Sequence, residues 1–100
     1  MPLRPELIKD IETIKNTVDQ LDDGDTPSLD SKGLKDAMAR VTEAAQQDAP
    51  GCQETQDLTD INRRAQGGHM SADELHKASK IAVRVGAGTV GQPKGRIKTL

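Results

Sequence analysis

The stretch LDDGDTPSLDSKGL, residues 21–34, decides how the chain folds. Asp22, Asp23 and Asp25 surround Gly24, and Pro27 follows. Glycine reaches positive φ without a steric cost and proline has no amide to donate, so a helix entering this stretch must end in it. Upstream, Leu7, Ile8, Ile11, Ile14, Val18 and Leu21 fall on one face of a 3.6-residue repeat, which predicts a first helix over about residues 5–21. Downstream, Asp30 or Ser31 caps a second helix, whose apolar stripe is Leu34, Ala37, Met38, Val41 and Ala45 and which Pro50-Gly51 stops.

A second loop of the same build follows in INRRAQGGHMSADEL, residues 61–75. Leu58 and Ile61 anchor a third helix over about residues 53–65, which breaks at Gly67-Gly68. Ser71-Ala-Asp-Glu74 is a capping box: the serine oxygen accepts a backbone amide and the glutamate reaches back, so a fourth helix begins at Ala72 and carries Leu75, Ala78, Ile81 and Ala82. Beyond Val85, Gly86, Gly88, Gly91, Pro93 and Gly95 cost too much backbone entropy for a helix. The expected organisation is all-α: a helical domain over residues 1–85 and a flexible, Gly-rich basic tail over 86–100.

The two halves share one frame. Leu29 and Met70 occupy equivalent places, as do Leu34 and Leu75, with an offset of 41 in both cases. The segment Leu21–Leu34 resembles an EF-hand loop with its flanking leucines, and 61–75 resembles the paired second hand. The likeness spans about residues 8–84, with Gly68 at the sixth loop position, Leu29 and Met70 at the eighth and Glu74 at the twelfth. It implies two helix-loop-helix units joined by a short antiparallel bridge between Leu29 and Met70. Calcium takes six to eight oxygens, with side-chain ligands at positions one, three, five and twelve and a glycine at six. The first loop offers Asp22, Thr26 and Asp30, but Gly24, Pro27 and Gly33 stand at three, six and twelve. The second has Arg63, Ala65 and Gly67 at one, three and five. The resemblance therefore implies the skeleton of the hands with a weak or lost metal site, and no cofactor.

Composition sets the remaining limits. The 100 residues are 33% hydrophobic with no Phe, Tyr or Trp, enough for one small core. Without aromatic rings there is no stacking platform for bases. Residues 1–75 hold 8 basic and 16 acidic side chains, whereas 76–100 hold Lys77, Lys80, Arg84, Lys94, Arg96 and Lys98 and no acid. A basic end on an acidic body argues against specific nucleic-acid binding, which needs a basic face. Cys52 is alone, so no disulfide forms within the chain, and no apolar run is long enough for a signal-peptide core or a membrane span. The expected compartment is the cytoplasm, with leaderless export open.

Two motifs invite chemistry and fail on context. Gly86-Ala-Gly88-Thr-Val-Gly91 matches the dinucleotide fingerprint, yet only nine residues follow it, without the helix, return strand and acidic residue that reading requires. Cys52, His69 and His76 lack the number and spacing of a zinc set. No carboxylate pair has a cleft, so an enzyme is not expected. The expectation is a non-catalytic interaction or regulatory module that takes a partner helix on an aliphatic surface of Leu34, Met38, Val41 and Leu75, with Lys94, Arg96 and Lys98 as a second contact. The alternatives are a weak calcium-responsive sensor using loop 22–33, and a small exported accessory protein of a bacterium or phage.

Overall fold

The computed structural model describes residues 3–91. A 3-10 turn, Pro5–Leu7, leads into α1 (Ile8–Asp22), followed by α2 (Lys32–Asp48), α3 (Gln53–Gln66) and α4 (Ala72–Gly86). There is no strand among the described residues, so the all-α, four-helix expectation holds.

The helix starts are set by side chains that accept orphan amides. Ser31 accepts from the Leu34 amide, Cys52 Sγ from that of Thr55, and Ser71 and Glu74 form the reciprocal capping box that the sequence predicts. Three of the helix ends share one device. After α1, α3 and α4 a glycine with positive φ (Gly24, Gly68 and Gly88) lets the chain fold back onto the last turn. The next amide then reaches the carbonyl five residues earlier: Asp25 to Gln20, His69 to Arg64 and Thr89 to Arg84, at 2.8, 2.8 and 2.9 Å. The glycines of the dinucleotide-like motif thus begin as an ordinary helix stop.

Each helix runs antiparallel to the next, and the last returns beside the first. Contacts at both ends of each pair show this. Arg4 binds Asp48 and Arg40 binds Asp10 across α1 and α2, while the Thr55 hydroxyl meets the Ala45 carbonyl and Gln66 meets that of Lys35 across α2 and α3. Arg84 pairs with Glu54 and Arg64 with Glu74 across α3 and α4. His76 meets Asp22, and the Arg4 amide meets the Gly86 carbonyl, across α4 and α1. The helices form an up-and-down ring, with α2 and α4 touching across its diagonal.

Leu7, Ile14 and Val18 of the first segment close on Leu34, Met38 and Val41 of α2, Leu58 and Ile61 of α3, and Leu75, Ile81 and Val85 of α4, and alanines let the helices approach. A core without rings is filled by these branched and thioether chains. Gly86 marks the closest approach, since a methyl group there would sit 2.4 Å from Ile11 Cδ1.

Two expectations change. The tail was placed from residue 86, but Gly86 closes α4, Val90 is fully buried in the core, and the Gly91 amide donates to Glu54 at 3.0 Å. Val90 is one more apolar side chain the small core recruits, so the folded body extends through Gly91; residues 92–100 lie outside the described residues. The bridge between Leu29 and Met70 is absent too: Leu29 is half-buried in a turn and Met70 buried just beyond the end of α3, and neither is in a bridge. The two loops instead meet where Asp30 lies against Gly68.

Candidate interaction surface

Each expected metal ligand has a position at the loop end of the bundle. Asp22 Oδ1 lies 2.8 Å from His76 Nε2, and Asp30 Oδ1 lies 2.5 Å from Lys35 Nζ. Thr26 is exposed in the loop between them. The Asp30 and Asp22 carboxylates are thus paired with the Lys35 ammonium and the His76 ring. Among the described residues, no three His, Cys, Asp or Glu side chains converge. Cys52 caps α3 at the opposite end of the bundle from His69 and His76, a separation of about one helix length, ~20 Å.

The expected partner-binding aliphatics are interior. Leu34 is 1% exposed, and Met38, Val41 and Leu75 are at 0%. They point inward because the stripe that would greet a partner helix is the same stripe that holds this four-helix ring together. In this fold they are core, not surface. Lys94, Arg96 and Lys98 lie outside the described residues.

The large apolar side chains that do reach solvent are Leu3, Ile8 and Val83, at 70%, 56% and 43% exposure. Leu3 precedes the Arg4 amide that binds the Gly86 carbonyl, which places it where α1 begins and α4 ends. Ile8 and Val83 flank the seam between these helices. On α1, Ile11 packs on Gly86 and Asp22 on His76, and Ile8 and Lys15 share that flank by helical spacing. On α4, Val83 stands one turn from Gly86 and two turns from His76 along the same side. Ile8 belongs to the apolar stripe in sequence but stands on its edge, and Val83 falls outside the α4 stripe. Its off-stripe position is the one sequence signal that it faces outward.

The seams differ in how they are fastened. Between α1 and α2, Arg40 grips Asp10 with contacts of 2.7 to 3.0 Å, and Arg4 grips Asp48 at 2.6 Å, which holds the Asp48 carboxyl below the usual carboxylate range. Between α3 and α4, Lys77 meets Asp57 at 3.2 Å and Arg84 meets Glu54 at 2.7 Å. Gln53, then Lys77, keeps the Asp57 carboxyl low, and the Ser71 amide, helped by Arg64, does so for Glu74. Between α2 and α3 the links are neutral, as in Gln46 to Thr59 at 3.1 Å. Thr42, in the depression beside them, buries a hydroxyl with no hydrogen-bond partner among the described residues. Between α1 and α4, among the described residues, the polar links stand at the two ends, Asp22 to His76 and Arg4 to Gly86. The middle of that seam is where the exposed aliphatics lie.

His76 is held from two sides. Nδ1 lies 2.9 Å from the Ala72 carbonyl and Nε2 lies 2.8 Å from Asp22, two acceptors that are both satisfied only by the doubly protonated ring. Asp22, then the Ala72 carbonyl, raises its pKa.

Compared with known proteins, the chain matches no family model, no curated protein and no solved structure. No helix among the described residues is long and apolar enough to cross a membrane.

Proposed function

We propose that this chain is a small non-catalytic interaction module, a four-helix body that receives a partner helix on the aliphatic face of α1 and α4. One observation carries the reading. Among the described residues, Leu3, Ile8 and Val83 are the exposed large hydrophobic side chains, and they gather along one seam in whose middle no polar link joins the two helices. Scattered exposed aliphatics need no explanation, but aliphatics aligned on a rigid two-helix face are what a helix-docking surface requires. The basic residues Lys94, Arg96 and Lys98 serve as a second contact in this reading, and the EF-hand-like loops act as connections that cap and stop the helices.

A photo-crosslinking side chain at position 83 tests this against one at Glu43, which is exposed on α2. The reading expects a discrete protein adduct from position 83 that Ile8→Glu removes while the helical circular dichroism is kept. Equal adducts from both positions, or none from position 83, would remove the support for it.

A further inference from the structure

Beyond Gly86 the chain turns back across the end of the bundle where α2 stops and α3 starts. Gly88, with φ at +75°, makes the turn, and the Thr89 amide reaches the Arg84 carbonyl at 2.9 Å. Val90 then enters the core with no exposed surface. Gly91 lies against the connection between α2 and α3: a methyl group on it would sit 3.0 Å from Ala49 Cβ and 3.5 Å from Cys52 Sγ. Its φ of +85° is a second left-handed position, so a glycine stands on each side of Thr89 and Val90. Residues 87–91 thus form a strap over this end of the core.

The strap is fastened at few points. The amides of Ala87, Gly88 and Thr89 and the hydroxyl of Thr89 all bond back to the last turn of α4. Among the described residues, the hydrogen bond that joins the strap to another helix is that of the Gly91 amide to Glu54 Oε1, at 3.0 Å. Its other anchor is the Val90 side chain, since Ala87 is exposed and Thr89 only half-buried. By contrast, α4 buries Leu75, Ala78, Ile81, Ala82 and Val85. Release of the strap strands no charge, because the second oxygen of Glu54 keeps its ion pair with Arg84 at 2.7 Å. One apolar side chain and one hydrogen bond stand against the ordering of five residues, two of them glycine. That balance puts the strap at the low-stability end of the molecule.

We infer that residues 87–91 are a releasable lid, which lifts as one unit about Gly88 and draws Val90 out of the core while the four helices stay folded. The lifted state opens two features at this end of the bundle. One is the apolar socket that Val90 fills, sized for a single branched aliphatic side chain. The other is Cys52, half-buried and with Gly91 against its sulfur when the lid is seated. The chain runs on from Gly91 to Lys94, Arg96 and Lys98, so a partner that holds these bases better with the lid lifted shifts the balance by that difference in affinity.

Native-state hydrogen exchange of the full chain in low urea provides the test. The Thr89 and Gly91 amides should exchange through one shared opening of weak urea dependence, faster than Met38 and Leu58, which wait for global unfolding. Val90→Ala should speed Thr89 and Gly91 by one common factor of about tenfold, with the helical circular dichroism unchanged. Gly91→Ala, set against Ala49 and against its own positive φ, should speed Thr89 as well. Ser71→Ala, at the opposite end of α4, should speed Met38 and Leu58 about fivefold and leave Thr89 and Gly91 unchanged, because the lid opens without the helices. Exchange of Thr89 and Gly91 with the rate and urea dependence of Met38 and Leu58 would mean that the strap parts only when everything unfolds, and would overturn the inference. Unequal responses of Thr89 and Gly91 to Val90→Ala would overturn it too, since the residues would then fray one by one.

Discussion

Leu75 has no exposed surface, and its side chain closes the core beside Met38 and Val41. Leu75→Ala should cost about 3 kcal/mol, the ordinary price of a buried leucine truncation, and urea unfolding should show it as a lower midpoint with an unchanged slope. Gly68 makes a different demand. Its φ is +80°, and a methyl group there would lie 3.2 Å from Asp30 Oδ1. Gly68→Ala should destabilise by about 1–2 kcal/mol, whereas Gly33→Ala, in a helix with open space around it, should be neutral or slightly stabilising. His76 supplies a pH dependence with a definite sign. Its folded pKa is raised by Asp22, so the pair contributes below the unfolded value of about 6.5 and is lost as pH rises through the folded one. In Asp22→Asn the NMR titration midpoint of His76 should move down, and the fall in stability above neutral pH should flatten.

At the scale of the helices, capping chemistry was the most legible part of the sequence. Ser71 and Glu74 mark the start of α4 because a capping box leaves its donors and acceptors at fixed spacing, and the structure forms both bonds. Removing the serine hydroxyl in Ser71→Ala should cost about 1 kcal/mol, seen as a melting temperature lower by about 5 °C. Legibility fell where one pattern serves two purposes. Periodicity shows that Leu34, Met38, Val41 and Leu75 share a face, but a face that packs against this chain's own helices and one that packs against a partner look alike in sequence. The expected start of the tail at residue 86 fails for a related reason. Glycine content reads as backbone freedom, yet Gly88 is a fixed left-handed cap and Val90 beyond it is buried. The edge position of Ile8 depends on how α1 is rotated against α4, and that is set by contacts such as Ile11 on Gly86 that no single-helix pattern contains.

Across the whole molecule, the four seams are fastened unequally, and this follows from where the charges fall. Ion pairs bind α1 to α2 and α3 to α4, neutral hydrogen bonds bind α2 to α3, and α1 meets α4 through aliphatic contact closed by polar links at each end. The number and order of the helices was readable from the chain because turns and caps are local. Which seam stays open to solvent was not, because it depends on all four helices together. The central claim is that Leu3, Ile8 and Val83 form a contact face while Leu34, Met38, Val41 and Leu75 form the core. Methyl NMR with a soluble paramagnetic agent separates the two sets directly. The Leu3, Ile8 and Val83 methyl signals should broaden strongly while those of Leu34, Met38, Val41 and Leu75 stay sharp. Broadening of Met38 and Leu75 together with Ile8 and Val83 would contradict the account, because the helices would then present their inner faces to solvent.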